Sequence, residues 1–389
     1  MNEPRIETLL AQAGLVREEA TGSINTPIYM ATVYRHPALG ESTGFDYTRT
    51  GNPTRSVLEA EIARLEGGAR GFAFASGMAA IQAAFSLFGQ GDHLLVSMDL
   101  YGGTYRYIEQ VLRRYGLTAT YVNTTSLEQL EAARRPETKG LLIETPTNPQ
   151  MHVTDLQTVC AWARREGILS IVDNTLMTPY YQRPLESGAD LVLHSATKYL
   201  GGHNDVLAGL VVTRDEALGE RIAFIQNTVG AVLSPFDSWL LLRGMKTLAL
   251  RLRQQSENAQ RLAEYLASHP LVSKVYYTGL ADHPGREIHL RQASGHGGLL
   301  SFRVVDQRLV ASILRSLKVI SFAESLGGVE TLMTFPAMQT HADMPEEVRK
   351  RVGVDETLLR IAVGIEHVED LLADLAQALE TAERELKGR

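Results

Sequence analysis

Lys198 follows an apolar strand pattern. In ADLVLHSATKYLGGHNDVLAG, the run Leu191 to Leu193 passes into a polar segment holding two hydroxyls, the lysine and a Gly-Gly pair. Such a lysine is either solvated or, at a strand end in an open α/β sheet, delivered to the crevice where ligands sit. Asp173, which closes ILSIVDNT, poses the same choice. An acid at the end of a buried strand costs desolvation unless a cation or several donors meet it; capping of the next turn is the alternative. Lys198 ends the strand after that one, so a right-handed crossover brings both groups to one edge of the sheet.

These two charges could pair with each other. They could also hold the two ends of a pyridine cofactor, the carboxylate keeping a ring nitrogen protonated and the amine forming a Schiff base. An anion site separates the readings, since pyridoxal phosphate needs one and a salt bridge does not. FASGMAAIQAAFSLF supplies it: Ser76 and Gly77 stand between a strand and a helix, so the Gly77 and Met78 amides point from the helix N-terminus. Ser195 and Thr197 precede the lysine at a spacing of two, which puts both hydroxyls on one side of an extended segment.

The elements that must position these groups are legible from Gly71 onward. GFAFAS, HLLVSM, LTATYV, GLLIET, ILSIVDNT, DLVLHS and LAGLVVT alternate with helical patterns, as repeated βαβ units and a mostly parallel sheet require. This large domain is expected over residues 52–247. FDSWLLLRGMKTLALRLRQQSENAQRLAEYLASHP has a sustained 3.6-residue period and leads, as one or two long helices, into a C-terminal α/β domain over 248–389. That domain takes strands at KVYYTG, GLLSFRV and LLRIAVG and helices at DQRLVASILRSL and VEDLLADLAQALETAERELK. Residues 1–51 show weak periodicity and read as an arm.

Composition narrows the function classes. The 389 residues suit two domains, and 38 Lys plus Arg against 45 Asp plus Glu, net -7, argue against nucleic acid or an anionic membrane as partner. Cys160 is the single cysteine, so no intrachain disulfide or cysteine-based zinc site is expected, and a reducing, cytoplasmic compartment fits. The start of the chain has no secretory pattern and no apolar run nears the ~20 residues of a membrane span. None of the 11 histidines stands in a spaced ligand set, so no metal is expected. No G-x-G-x-x-G follows the strands, against a dehydrogenase, and residues 1–51 lack the space and basic charge for the DNA-binding module of a regulator.

HSATKYLGGHNDVLAGL, ETPTNPQM, VDNTLMTP, YGGTYR, FDYTRTGNPTR, ASGMAA and AESLGGVETL followed by FPAMQTH together resemble the Cys/Met-metabolism family of pyridoxal-phosphate enzymes. The resemblance runs from about Thr26 to Leu379. It implies an aspartate-aminotransferase-like, fold type I architecture and a homotetramer of two catalytic dimers. Lys198 is then the Schiff-base lysine and Asp173 the partner of the pyridine nitrogen, with Gly77, Met78, Ser195 and Thr197 on the phosphate. Tyr101 stacks on the ring and Asn148 lies near the phenolic oxygen. Tyr47 and Arg49, which otherwise read as a polar loop, cross to the neighbouring subunit's phosphate.

Arg360 in TLLRIAVG carries the group that clamps a carboxylate with two parallel hydrogen bonds, unless it serves a strand salt bridge. The resemblance makes it the α-carboxylate clamp, with Ser325 a further substrate contact and Arg106 a candidate for a distal carboxylate. Two positions select within the family. Gly103 stands where methionine γ-lyases typically carry a cysteine. Glu324 matches a glutamate of cystathionine γ-synthases and γ-lyases and can hold an ammonium group. The closest likeness is to cystathionine γ-synthase and O-acetylhomoserine thiolyase. The expected reaction is γ-replacement on an O-acylhomoserine, acetyl before succinyl, by cysteine or sulfide; cystathionine γ- and β-lyases share the apparatus and remain the alternative.

Overall fold

The computed structural model describes residues 4–15, 18–340, 342 and 345–388. Its strands are β1 Arg70–Phe74, β2 His93–Ser97, β3 Thr118–Val122, β4 Thr138–Glu144, β5 Leu169–Asp173, β6 Leu191–Ser195, β7 Gly209–Thr213, β8 Val272–Tyr276, β9 Leu299–Val304, β10 Ser321–Phe322, β11 Leu332–Thr334 and β12 Leu358–Ala362. The chain divides into two compact units: residues up to Phe88 with Ser170–Ala249, and Gly89–Leu169 with the residues from Leu250 onward.

In the first unit the strands lie in the order β1-β7-β6-β5. β5 and β6 are parallel, while β7 runs antiparallel to both β6 and β1. No helix lies between β6 and β7, and a strand that returns without a crossover helix pairs antiparallel. Every residue of β7 and the first four of β6 are buried, the pattern of strands covered on both faces. The helix Pro53–Glu66 begins where Asn52 accepts the Thr54 and Arg55 amides at 3.0 and 3.3 Å, with proline pre-set at its first position. It stops at Gly67, whose φ of 71° is the left-handed cap glycine adopts without strain. Leu58, Ile62, Phe72, Phe74, Ile81, Phe85, Val192 and Val211 form part of its buried core. Among the described residues before Asn52 there are one short helix, Ile6–Ala11, and an isolated bridge between Val33 and Tyr47. Ile24, Met30, Val33 and Leu39 are exposed there.

The second unit holds β4-β2-β3, all parallel, and a five-stranded sheet in the order β10-β11-β12-β9-β8. The helices Arg308–Ser316 and Val368–Lys387 place Leu309, Ile313, Leu371, Leu375 and Leu379 in one buried cluster with Phe302, Leu359 and Ile361 of that sheet. The four-residue spacing of the helix residues makes the apolar stripe that a one-sided helix needs. The long periodic segment forms two helices, Pro235–Met245 and Leu248–Ala267. Among the described residues, no helix is long and apolar enough to cross a membrane.

Candidate active site

Asp173 ends β5 and Ser195 ends β6. The two strands are parallel with Asp173 opposite Leu193, so Asp173, Leu193 and Ser195 share one face of the sheet, and His194 takes the other. Thr175 joins the ends on the first face. Its hydroxyl accepts the Ser195 amide at 2.8 Å, while its own N–H, at 3.0 Å, and its hydroxyl donate to the Asp173 carboxylate. Burial pushes the Asp173 carboxyl above its ordinary range, and the Thr175 donors and the charge of His194 pull the other way. A carboxylate so placed seeks a cationic N–H donor.

A helix N-terminus meets the same strand ends. Ser76 caps the helix Gly77–Phe85 by accepting the Ala79 amide at 3.1 Å, and the first amides of a helix have no partner inside it. That helix end is pressed onto the strand ends. A β-carbon at residue 77 would lie 2.9 Å from Ser195 Oγ, and one at residue 209 would lie 2.1 Å from the Ser76 carbonyl oxygen, so only glycine fits either position. The Gly77 amide and the Ser195 hydroxyl therefore bound one small space. Lys198 donates its amide to the Ser195 carbonyl at 3.1 Å, and its side chain is half-buried. Thr197 fastens this turn: its hydroxyl donates to the Ala208 carbonyl at 3.2 Å and accepts the Ala208 amide at 3.0 Å. Tyr47 and Arg49 lie on the exposed arm, where Arg49 reaches the Asn227 side-chain oxygen at 3.0 Å and stands 5.6 Å from the Tyr47 ring centre.

In the second unit Arg360, 1 % exposed, is the centre of a second group. Its Nη1 donates to Asn148 Oδ1 at 3.1 Å, and its Nη2 donates to the Ser325 carbonyl at 2.6 Å and to Thr334 Oγ1 at 2.9 Å. Ser325 has a φ of 87°, a left-handed conformation that is unfavourable for serine and that clusters at functional sites. Glu324, its neighbour, is exposed, as is Arg106 on the helix Gly102–Gln110. Tyr101 precedes that helix and is 43 % exposed. Its ring leaves no room for a side chain two residues on: a β-carbon at Gly103 would lie 2.4 Å from the ring.

Glu144, at the end of β4, was not singled out by the sequence patterns although it carries the same signal as Asp173, an acid closing an apolar strand. Its Oε2 accepts the Tyr101 amide at 3.3 Å and its Oε1 the Asn148 amide at 2.9 Å, so one carboxylate positions both residues. Asp99, which accepts the Thr147 hydroxyl at 2.5 Å, is a further buried acid, its carboxyl pushed up by burial to about 6. Thr175 also escaped notice, and its position two residues after Asp173 was the available sign.

Pyridoxal phosphate fits the first group. A buried carboxylate wanting a cationic donor suits a pyridinium nitrogen, and the glycine-only contact with Ser195 suits a phosphate. The model of the Cys/Met metabolism PLP-dependent enzymes matches residues 7–380. A cystathionine gamma-synthase/O-acetylhomoserine (thiol)-lyase of Bacillus subtilis is 55% identical over 96% of each chain. A cystathionine beta-lyase of Lactococcus lactis is 48% identical over 96% of this chain and 99% of its own. The crystal structure of a cystathionine gamma-lyase from Lactobacillus plantarum, complexed with L-serine, superposes with a TM-score of 0.96 at 47% identity, covering 98% of this chain and 100% of that one. The architecture is thus that of a fold type I enzyme with pyridoxal phosphate as cofactor, and the chain belongs to the Cys/Met-metabolism family of pyridoxal-phosphate-dependent enzymes.

Proposed function

We propose that the enzyme is a transferase acting by γ-replacement: a thiol displaces the acyl-oxy group at Cγ of O-acetylhomoserine. Cysteine gives cystathionine; sulfide, as a smaller thiol, gives homocysteine. When bound, the cofactor supplies an electron sink for charge developing at Cα and Cβ. Lys198 is the residue whose amine would hold the cofactor's aldehyde carbon and would move protons at Cα and Cβ of the substrate. Asp173 holds the proton on the ring nitrogen. The Gly77 and Met78 amides, Ser195 and Thr197 bind the phosphate, while Tyr101 stacks on the ring and Asn148 lies at its phenolic oxygen. Arg360, with Ser325, clamps the α-carboxylate, and Arg106 receives a distal carboxylate.

The observation that supports a γ-acting enzyme, synthase or γ-lyase, over a β-lyase is the hold of Arg360 on the Ser325 carbonyl, with Glu324 as the residue before Ser325. A carboxylate there can hold the ammonium of an incoming cysteine. Gly103 counts against methionine γ-lyase activity, since the cysteine that methionine γ-lyases typically carry at this position would strike the Tyr101 ring as it stands. The working unit in this reading is a homotetramer of two catalytic dimers, with residues 1–51 as an arm that carries Tyr47 and Arg49 to the neighbour's phosphate. The exposed Ile24, Met30, Val33 and Leu39 are the apolar surface such an arm would bury.

The lyases of the family use the same apparatus, and relatives with both kinds of activity in their names stand at similar identity. Offering O-acetylhomoserine with cysteine, O-succinylhomoserine with cysteine, and cystathionine alone, and following products by mass spectrometry, separates them. The expected result is cystathionine formed fastest from the acetyl ester. Cleavage of cystathionine far faster than its synthesis from either ester overturns the transferase reading in favour of a γ- or β-lyase.

A further inference from the structure

Glu66 is the last residue of the helix Pro53–Glu66, and neither its side chain nor that of His194 has exposed surface. A carboxylate at the C-terminal end of a helix faces the negative end of the helix dipole, and burial removes its hydration. Two hydrogen bonds compensate, both to Oε1: from Asn174 Nδ2 at 2.9 Å and from His194 Nε2 at 2.7 Å. Asn174 is itself fixed. It donates its side-chain amide to the Gln182 carbonyl at 2.8 Å, accepts Gln182 Nε2 at 3.0 Å, and donates its backbone amide to the Leu193 carbonyl at 2.9 Å.

One oxygen of Glu66 therefore ties the residue after Asp173 to the residue before Ser195. The β5–β6 register ends at the pair Asp173 and Leu193; beyond it the Asn174 amide bond to the Leu193 carbonyl is supplemented by side chains on both faces. Thr175 does so on the face of Asp173 and Ser195, and Glu66 does so through His194 on the other face. Resting on the assignment of Asp173 and Ser195 to the cofactor made above, we propose that Glu66 is a positioning residue. It fixes the separation of the group that holds the ring nitrogen from the group that holds the phosphate. A cofactor that carries a ring nitrogen and, on a short arm two ring atoms away, a phosphate would need both partners at a matching separation.

Equilibrium dialysis of pyridoxal phosphate and the visible circular dichroism of the bound cofactor, which reports its tilt, test this without reference to turnover. Glu66→Leu is expected to raise the dissociation constant at least tenfold and to reduce the ellipticity per bound cofactor. Glu66→Gln, whose amide oxygen can accept both hydrogen bonds, is expected to restore both. Where Glu66→Leu fails to fold, Asn174→Ala removes one arm of the clamp and is expected to give the same two changes. Unchanged affinity and ellipticity in Glu66→Leu, or in Asn174→Ala where that variant stands in for it, overturns the proposal; so does a Gln variant as impaired as the Leu one. Asp173→Asn and Ser195→Ala are measured alongside. If they leave affinity unchanged, the assignment of the cofactor residues falls and the clamp with it. If they weaken it while Glu66→Leu does not, the clamp alone falls.

Discussion

Gly77 lies in direct contact with Ser195, close enough that a β-carbon at position 77 would sit 2.9 Å from Ser195 Oγ and 3.0 Å from its β-carbon. The helix N-terminus and the hydroxyl thus converge with no space for any side chain between them. Gly77→Ala must displace either the Ser195 side chain or the helix end, and under the proposed assignment each movement would shift a donor to the phosphate. A tenfold loss of affinity, about 1.4 kcal/mol, is expected for pyridoxal phosphate. Equilibrium dialysis with the apoprotein measures it, and an unchanged constant would show that this space does not receive the phosphate.

A cluster of histidines in the second unit makes stability depend on acid. Burial, above all, holds His289 down from 6.5 to about 4, and the rings of His289 and His296 stack with centres 5.1 Å apart. Burial likewise lowers His283 and His296. The folded state then binds fewer protons than the unfolded chain between these values. The His289 contribution is present in full above about pH 6.5 and is lost as pH falls through about 4. It amounts to about 3 kcal/mol over that window. His289→Gln, whose amide can still donate to the Gly295 carbonyl now bonded by the ring at 2.8 Å, is expected to lose less melting temperature than wild type between pH 7 and pH 5. Parallel curves for the two proteins would contradict it.

The strand-end signals of Lys198 and Asp173 could be read because an ionisable group that closes an apolar run is costly wherever it is unpaired. The same rule would have reached Glu144. It could not reach Glu66, which closes IARLEGG as any exposed helix glutamate does; its partners lie 108 and 128 residues away. His194 sits within an alternating strand where only the fold decides which face it takes. The grip of Arg360 on Asn148 spans 212 residues and needs no local pattern at either end. The longer strands and helices were legible from periodicity, but the two- and three-residue strands β10 and β11 are too short to show a period. The return of β7 against β6 was not legible either, because an apolar run carries no direction.

Subunit mixing checks the arm. If Arg49 serves the neighbour's phosphate, Arg49→Ala and Lys198→Ala homomers should both be inactive, since each lacks one group in every site. Dissociating and reassembling the two together should return activity, approaching a quarter of wild type for random pairing, because one site in each mixed dimer regains both groups. Borohydride reduction and peptide mapping of the wild type should place the phosphopyridoxyl group on Lys198. Reassembled mixtures with no recovered activity would put Arg49 in its own chain's site.

In the proposed transferase, Glu324 is the residue expected to select the thiol. Sulfide has no amine, whereas cysteine brings an ammonium that a carboxylate can hold by a charge-assisted hydrogen bond, worth about 1.5–3 kcal/mol when a charged group takes part. Glu324→Ala should therefore lower kcat/KM for cysteine by about tenfold or more while leaving sulfide nearly unchanged. The exposed position of Glu324 means that the substitution removes no core packing, so a loss shared by both thiols cannot be blamed on a cavity. Such a shared loss would instead place the residue at the homoserine half of the reaction, through the adjacent Ser325 whose carbonyl Arg360 grips at 2.6 Å. Steady-state rates with O-acetylhomoserine held saturating and each thiol varied distinguish the two outcomes, because only a contact made by the amine changes the ratio between thiols.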